Sequence, residues 1–334
     1  MKTDHRLLRT AVATALLSLG LACGAQATTL KVSHVRPQGT AIDNDLRALA
    51  AEVDKATAGK LKLEIFPANA LGDYTVVQER ISVGAVDMAC QPTGTAADRR
   101  MQIGVFPYLS NDWASARKAF GAGSVLRDTI ESLYAKQDIR VLAAYPVYFG
   151  GIALNRDAVA PGDPDASKGI KLRVPPIKSF QLLANEIGYI GTPLPFSEAF
   201  TAVQTGVVDG VLGSGAEGYY ASFRDVTKTY IAANTHFEIW YLIINQGKFD
   251  ELPAAERTAL EQAATAFEAK RWTNAEADQA ANEKKLEQVG AKIVRPSAQE
   301  LAAHAAKVRK VVWPQIIKDV GESFAKPILD KVAN

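Results

Sequence analysis

The amino-acid sequence predicts an α/β fold built as two lobes that one long helix spans. Strand and helix patterns alternate along the chain, which is typical of sheets with substantial parallel pairing. The alternation occurs twice, before and after Pro146, and 334 residues are enough for two such units. Residues 254–289 contain neither glycine nor proline, which favours one long helix there.

Residues 1–27 have the features of a secretory leader. Three basic residues come first, an apolar run follows at 11–21, and a small-residue Ala-Gln-Ala pattern ends the segment. We expect cleavage after Ala27 and export to the periplasm, because the run is too short for a permanent membrane anchor. Lipid attachment at Cys23 is the alternative, which Gly20 disfavours, since a branched apolar residue is expected at that position.

The charge of the chain without this leader excludes several classes of partner. Lys+Arg falls from 38 to 35 and Asp+Glu from 36 to 35, because Lys2, Arg6, Arg9 and Asp4 leave, so the mature chain is formally neutral. A neutral chain without a Lys/Arg run predicts no binding of nucleic acid or anionic lipid. No long apolar run remains, so no direct membrane insertion is expected.

Cys90 is the one cysteine that follows the leader, so no intramolecular disulfide is possible. It lies in the apolar run 85–90, which predicts a buried structural thiol rather than a nucleophile. A chain of this length buries a large core without a disulfide.

The elements before Pro146 are predicted from apolar periodicity and from glycine at the helix ends. The predicted strands are 30–34, 61–65 and 85–90. One helix is predicted from apolar residues at 42, 46, 49 and 53, and a second is predicted over 74–83.

The same order returns after Pro146. A strand is predicted at 171–174, a helix after Pro175-Pro176, and a second helix from Ser197, as N-cap, to Thr205. The strand 207–209 follows. Residues 81–87 resemble residues 203–209, which fits two lobes that are built alike.

The segment 254–289 predicts a helix that braces both lobes. Uninterrupted, it would be roughly 54 Å long, whereas a lobe of ~200 residues has a radius of gyration of ~17 Å. Two helices with a break near Thr273-Asn274 are the alternative. No Ser/Gly linker joins the lobes, so we expect the chain to cross between them more than once.

The sequence contains no motif of a known enzyme site. The only histidines after the leader are His34, His236 and His304, and none stands at metal-ligand spacing. Gly210 to Gly215 follows a strand, but its glycine spacing does not match a dinucleotide loop, and Ser214 lacks the glycine of a nucleophile elbow. We therefore predict neither catalysis nor a cofactor nor a metal.

Arg173 is the most informative single residue. It alternates with Leu172 and Val174, which predicts an arginine in packed surroundings at a strand end. A guanidinium matches the geometry of a carboxylate with two parallel hydrogen bonds. The alternative, equally supported by spacing, is an internal pair with an acid such as Glu198 or Glu217.

Five segments together resemble the solute-binding subunit of TRAP (tripartite ATP-independent periplasmic) transporters, the DctP-like family. The resemblance covers essentially the whole mature chain, and the Arg-Val-Pro block and the Phe-Ser-Glu to Val-Asp-Gly block carry it most specifically. The segments are 31–34, 66–72, 83–89, 169–175 and 195–210.

The resemblance implies a periplasmic-binding-protein fold with two α/β lobes, crossing hinge strands and a lobe-spanning helix. We assign residues 28–146 and 237–272 to lobe I and residues 147–236 and 273–334 to lobe II. The resemblance also implies that Arg173 grips the carboxylate of a small ligand in the cleft. A monomer would then deliver this organic acid to membrane permease subunits.

Two departures from the family pattern bear on the ligand. Many members have an Asn-Pro after the Val-Asp-Gly block, where this chain has small residues such as Gly213. Many have a second arginine in the strand after the first crossover, where residues 148–155 have glycine. The ligand set is therefore not expected to be that of the sugar-acid binders.

Further candidate ligand contacts follow from their places near the strand ends and the crossovers. Aromatic residues there are candidates for apolar walls, although each one taken alone is more often core. The aromatic candidates are Tyr148, Phe149 and Trp240, with Tyr145, Tyr219 and Tyr220 in the same group. The polar candidates are Gln91, Thr93, His34, Arg36 and Glu217, the last also as a residue that orients Arg173.

Two other functions stay open on the sequence alone. A two-lobed frame also suits a periplasmic enzyme that processes a carboxylate, or a sensor module that reports a ligand to a receptor. Turnover of a bound acid would favour the enzyme, and reversible binding without a product would favour transport.

Overall fold

The computed structural model describes residues 27–332, which form two β-sheets with helices packed on them. The predicted leader, including Cys23, lies outside the described residues apart from Ala27. We call the first sheet with its helices the first lobe and the second sheet with its helices the second lobe.

The first sheet has the order β2-β1-β3-β10-β4. Strands β2, β1 and β3 are parallel, and β10 runs antiparallel between β3 and β4. The parallel part arises because a helix follows each of β1 and β2 and returns the chain to the same edge. The strands are β1 (Thr28–Ser33), β2 (Leu61–Phe66), β3 (Met88–Gln91), β4 (Ile139–Phe149) and β10 (Phe237–Asn245).

The second sheet has the order β11-β9-β5-β8-β6-β7. Its β8, β6 and β7 are parallel, while β5 is antiparallel to both of its neighbours. The strands are β5 (Gly151–Leu154), β6 (Lys171–Val174), β7 (Ile190–Pro193), β8 (Gly210–Ser214), β9 (Thr229–Ile231) and β11 (Lys292–Val294).

Two segments of extended chain cross between the sheets, as the lack of a linker predicted. Strand β4 of the first sheet passes through Gly150 into β5 of the second, and residues 232–236 return from β9 to β10. The two crossings are tied together, because Gly150 exchanges backbone hydrogen bonds of 2.8 Å with Thr235 and His236.

The helices lie on both sheets. They are α1 (Ala41–Ala56), α2 (Tyr74–Ser82), α3 (Trp113–Phe120), α4 (Val125–Ala135), α5 (Lys178–Glu186), α6 (Phe196–Gln204), α7 (Ala216–Phe223), α8 (Gln246–Glu251), α9 (Ala254–Gln288), α10 (Ala298–Val320) and α11 (Glu322–Val332). Two short 3₁₀ segments lie at Arg99–Val105 and Arg224–Val226.

Helix α9 is continuous, so the predicted long helix is confirmed and the break near Thr273-Asn274 is wrong. It packs on β4 of the first lobe and on α7 of the second. Buried Arg271 in its middle donates from Nε to the carbonyl of Pro146 at 2.7 Å, and Gln279 accepts from the amide of Phe149 at 2.8 Å. The helix therefore braces the crossing itself.

Three predicted element boundaries are wrong. Strand β3 begins at Met88 rather than at residue 85, because the amides of Ala85 and Val86 both close the preceding helix on the carbonyl of Arg80. The strand predicted at residues 207–209 is instead β8 at Gly210–Ser214, because the amide of Val208 closes helix α6 on the carbonyl of Ala202 at 3.1 Å. Helix α6 has Pro195 at its N-cap, and the amide of Ser197 donates to Asp73 of the other lobe at 3.1 Å.

The C-terminal helices contact both halves of the molecule. Helix α10 lies on α5 and on the 3₁₀ segment Arg99–Val105, and α11 lies on α4. The predicted assignment of residues 273–334 to lobe II stays a prediction, although α4 belongs to the part of the chain assigned to lobe I.

Cys90 is fully buried in β3, as predicted. Burial raises the pKa of its thiol well above the ordinary value, because the thiolate would lose its hydration. The thiol is therefore an inert part of the first lobe's core.

Candidate ligand-binding site

A cavity lies between the two lobes at the crossing strands. It is formed by the loops after β1 and β3, by the carboxyl ends of β6 and β8, and by β4 and β10. Ligand sites in α/β proteins form at this edge of parallel strands. In this structure the side chains nearly fill the cavity, and the space open to the centre of a water molecule is about 30 Å³. The lining residues are Val35, Arg36, Tyr74, Pro92, Thr93, Val105, Tyr148, Arg173, Pro175, Ile177, Phe180, Phe196, Gly213, Ser214, Glu238 and Trp240.

Arg173 brings a positive charge into this cavity. It follows fully buried Leu172 in β6 and is itself only 1% exposed. Its Nε donates to the carbonyl of Leu194 at 2.9 Å, and its Nη2 has no hydrogen-bond partner in the described part of the chain. No carboxylate of residues 27–332 forms an ion pair with it, and burial lowers its pKa. The guanidinium is therefore a buried cation without a counter-ion, which costs free energy unless a ligand anion supplies one.

The alternative prediction, an internal ion pair between Arg173 and an acid such as Glu198 or Glu217, is wrong. Glu198 is exposed on α6. Glu217 pairs instead with Arg36, whose Nε lies 2.9 Å and 3.2 Å from the two carboxylate oxygens. The sequence also suggested that Glu217 orients Arg173, and this hypothesis is wrong.

The Arg36–Glu217 ion pair joins the two lobes. Arg36 follows β1 of the first lobe, Glu217 lies in α7 of the second, and their side chains are 1% and 7% exposed. Burial opposes the charge of Arg36, but the carboxylate of Glu217 more than offsets it and raises the pKa of Arg36. A Cβ on Gly218 would come within 2.4 Å of Arg36 Nη2, so only glycine admits this approach.

Three aromatic groups surround the guanidinium groups. The Cζ of Arg36 lies 5.0 Å from the Trp240 ring and 5.1 Å from the Phe196 ring, and the Cζ of Arg173 lies 5.7 Å from Phe196. Tyr148 also lines the cavity and is 3.5 Å from Ser214 Oγ. Burial raises the pKa of Tyr148 well above its ordinary value, so its hydroxyl is neutral. The predicted apolar walls at Tyr148 and Trp240 thus line the cavity.

Thr93 and Gly213 are the other predicted residues that line the cavity. Thr93 accepts a hydrogen bond from the Tyr134 hydroxyl at 3.1 Å. Gly213 has a φ of +105°, and a Cβ there would lie 2.6 Å from Pro175, so this wall requires glycine.

His34, Gln91 and Phe149 do not line the cavity. His34 is fully buried behind it and lies 3.2 Å from the carboxylate of Asp43. Gln91 donates to the carbonyl of Tyr74 at 2.7 Å, and so holds a cavity residue without facing the cavity. Phe149 packs in the core against Trp113 and Phe237. Each of the three residues lies at or next to the end of a strand, as predicted, but its side chain does not face the cavity, because successive side chains of a strand point to opposite faces.

The other aromatic candidates are also structural. Tyr145 stacks on Phe267 and donates to Asp45 at 2.9 Å. The Tyr219 hydroxyl donates to the carbonyls of Gly151 and Val211 at 2.9 and 2.8 Å. Tyr220 lines a different hollow, described below.

Sequence reasoning missed Glu238, which is 4% exposed and faces the cavity. Its Oε1 accepts from Trp240 Nε1 at 2.8 Å, and its Oε2 lies 3.1 Å from His236 Nε2. The signal was present in the sequence, because Glu238 is the one charged residue in an otherwise apolar strand, and residues 236, 238 and 240 share a face.

Gly150 lies at the crossover, where many members of the family were expected to have a second arginine. Steric crowding explains why this chain has glycine there. A Cβ on Gly150 would come within 2.2 Å of the His236 ring. The imidazole thus occupies the space next to this position, and it packs on Phe180 at a centroid distance of 4.8 Å.

A wider hollow, the side groove, borders Glu217 on the outside of the ion pair. It encloses about 410 Å³ and is formed by the loop 37–41, by α7 and by the second half of α9. Arg224 and Lys285 both lie within 5.8 Å of the Tyr220 ring at its edge.

No helix within residues 27–332 is both long and apolar enough to span a bilayer. No three His, Cys, Asp or Glu side chains in that range lie together in a group that could hold a metal ion.

Comparisons with known proteins match most of the chain. The family model "Bacterial extracellular solute-binding protein, family 7" (DctP) matches residues 32–319. A solute-binding protein of Albidiferax ferrireducens is 28% identical over 89% of this chain and 88% of its own length. The C4-dicarboxylate-binding periplasmic protein DctP of Rhodobacter capsulatus is 27% identical over 78% of each chain.

Two solved structures share the fold. The sugar acid binding protein DctPAm of Advenella mimigardefordensis, in complex with galactonate, has a TM-score of 0.85 at 20% identity over 92% of this chain and 99% of that one. An extracytoplasmic solute receptor of Bordetella pertussis that binds pyroglutamic acid has a TM-score of 0.80 at 25% identity over 92% of this chain and 100% of that one.

Proposed function

The chain belongs to family 7 of the bacterial extracellular solute-binding proteins, the DctP family, and we propose that it captures a small organic acid between its lobes for a TRAP transporter. The predicted family and two-lobed fold are confirmed. The family is one of transport binding proteins rather than enzymes. The observation that carries the proposal is the buried guanidinium of Arg173, which faces the cavity without a counter-ion.

The cavity chemistry supports one carboxylate as the anchor of the ligand. Arg36 is already neutralised by Glu217, so Arg173 is the cation that remains available. Its Nη2 can donate to a carboxylate oxygen while Nε stays bonded to Leu194. The body of the acid then lies against Phe196, Trp240 and neighbouring apolar side chains, which favours a small apolar or branched body.

The cellular context is part of the proposal. Relatives are named periplasmic binding proteins, and residues 1–27 have the features of a secretory leader. We propose that this chain is exported, cleaved after Ala27, and works as a monomer that hands its ligand to membrane permease subunits.

A monocarboxylate with a small apolar or branched body is expected to stabilise the mature protein against heat. A ligand at 100 times its Kd adds about 2.7 kcal/mol, which is a shift of about 4 °C for a protein of this size. The measurement is a thermal-shift screen against 2-oxo, 2-hydroxy, aromatic and branched acids, with sugars and inorganic cations as controls. If sugars or cations raise the melting temperature and no acid does, the assignment is wrong.

A further inference from the structure

We propose that Glu238 makes the site selective for a monocarboxylate that also carries a hydrogen-bond donor, an N–H or O–H group, and that it excludes dicarboxylates. This inference rests on the proposed function, because it takes Arg173 as the partner of the first carboxylate.

The position of Glu238 in the fold directs its side chain into the cavity. It pairs with Tyr148 across β10 and β4, and the register shifts between Glu238 and Ile239. Irregularities of this kind re-aim side chains and are frequent beside functional sites. Trp240, two residues on along the same strand, lines the cavity as well.

The carboxylate of Glu238 is held rigidly and still has acceptor capacity. With its proton on Nε2, the His236 ring donates to Oε2 of Glu238 at 3.1 Å, and its other nitrogen, Nδ1, lies 3.0 Å from Thr235 Oγ1. Trp240 supplies the second donor at 2.8 Å. Two oxygens offer about four acceptor sites, so two protein donors leave room for one from a ligand.

The charges around the cavity predict which acids it rejects. Among the described residues that line it, Arg36, Arg173 and Glu238 are the charged ones. Arg36 is paired with Glu217, and a ligand carboxylate would pair with Arg173. A second ligand carboxylate would then lie in the same cavity as Glu238 and have no cation among the described lining residues left to pair with. Like charges a few ångströms apart in a water-poor site repel strongly.

The test measures binding by calorimetry for matched acids that differ in one group. Pyroglutamate is compared with 3-oxocyclopentanecarboxylate, which replaces the ring N–H by CH₂, and 2-hydroxyisovalerate is compared with isovalerate and with methylsuccinate. We expect at least one donor-bearing acid to bind at least tenfold more tightly than its donor-free counterpart, and we expect methylsuccinate to bind most weakly.

Two variants test whether the carboxylate of Glu238 is the group that selects the ligand. Glu238→Gln is expected to lose most of the donor preference and to bind methylsuccinate at least tenfold more tightly than the wild type does. Trp240→Phe removes one supporting hydrogen bond and keeps the charge, so it should still reject methylsuccinate. Thermal melts of both variants show whether the fold is kept.

The outcomes separate this inference from the function on which it rests. If the acids bind but Glu238→Gln keeps the wild-type order of affinities, Glu238 does not select the ligand, although the protein is still an acid-binding protein. If the wild-type protein binds methylsuccinate more tightly than 2-hydroxyisovalerate, the inference is overturned as well. If none of the acids in the wider screen binds, the proposed function itself fails.

Discussion

Replacing Arg173 with alanine is expected to weaken binding of the organic acid by at least about 30-fold. The substitution leaves the ligand carboxylate desolvated and without its partner, which typically costs 2–5 kcal/mol, and each 1.4 kcal/mol is a factor of ten in Kd. Calorimetric titration of the wild type and the variant with the same acid measures the loss.

Arg173→Lys is the matched variant that keeps the charge. An ammonium group cannot form two parallel hydrogen bonds with a carboxylate, so this variant should also bind poorly. Arg173→Ala should remain folded, because it removes a buried, unpaired charge, and thermal melts of both variants check the fold. Normal binding by Arg173→Ala would show that another group anchors the ligand, and failure to fold would show that Arg173 is structural.

Glu217→Gln is expected to weaken ligand binding by about 100-fold or more while changing the melting temperature of the ligand-free protein little. Removing one partner of a buried ion pair costs about 3–5 kcal/mol, since the other charge stays buried without compensation. Arg36 and Glu217 come from different lobes, and we expect the lobes to close over the ligand and to open without it, which would return Arg36 to water. The cost therefore falls on the closed form that holds the ligand.

Two measurements separate this role from an ordinary structural one. Small-angle scattering should show that ligand reduces the radius of gyration of the wild type more than that of Glu217→Gln. Glu261→Gln is the control, because it removes the acid of an ion pair with Arg140 in which both side chains are at least 40% exposed. It should leave binding unchanged. If ligand-free Glu217→Gln melts far below the wild type, the pair holds the fold rather than the closed state.

The elements that local sequence patterns predicted best are those whose stability is local. The absence of glycine and proline from residues 254–289 predicted helix α9 almost to its ends, at Ala254 and Gln288. Apolar spacing likewise predicted β1, β2 and β6. The start of β3 was misplaced because Ala85 and Val86, which look like part of a strand, close the helix before it.

The site was harder to predict because its contacts are non-local. Arg173 was identified from its strand and its resemblance to a family motif, and it faces the cavity. The partner of Glu217 was not predicted. Arg36 lies 181 residues away from it, and the spacing was compatible with either Arg36 or Arg173. His34 and Phe149 do not line the cavity, because the face on which each side chain lies depends on register, which the sequence left undetermined.

A crystal structure of the mature protein with the acid found in the ligand screen would show whether Arg173 anchors the ligand. We expect closed lobes and a carboxylate between them, with an oxygen at about 2.7–2.9 Å from a nitrogen of the Arg173 guanidinium. A ligand bound in the side groove, or one whose carboxylate lies away from Arg173, would contradict it.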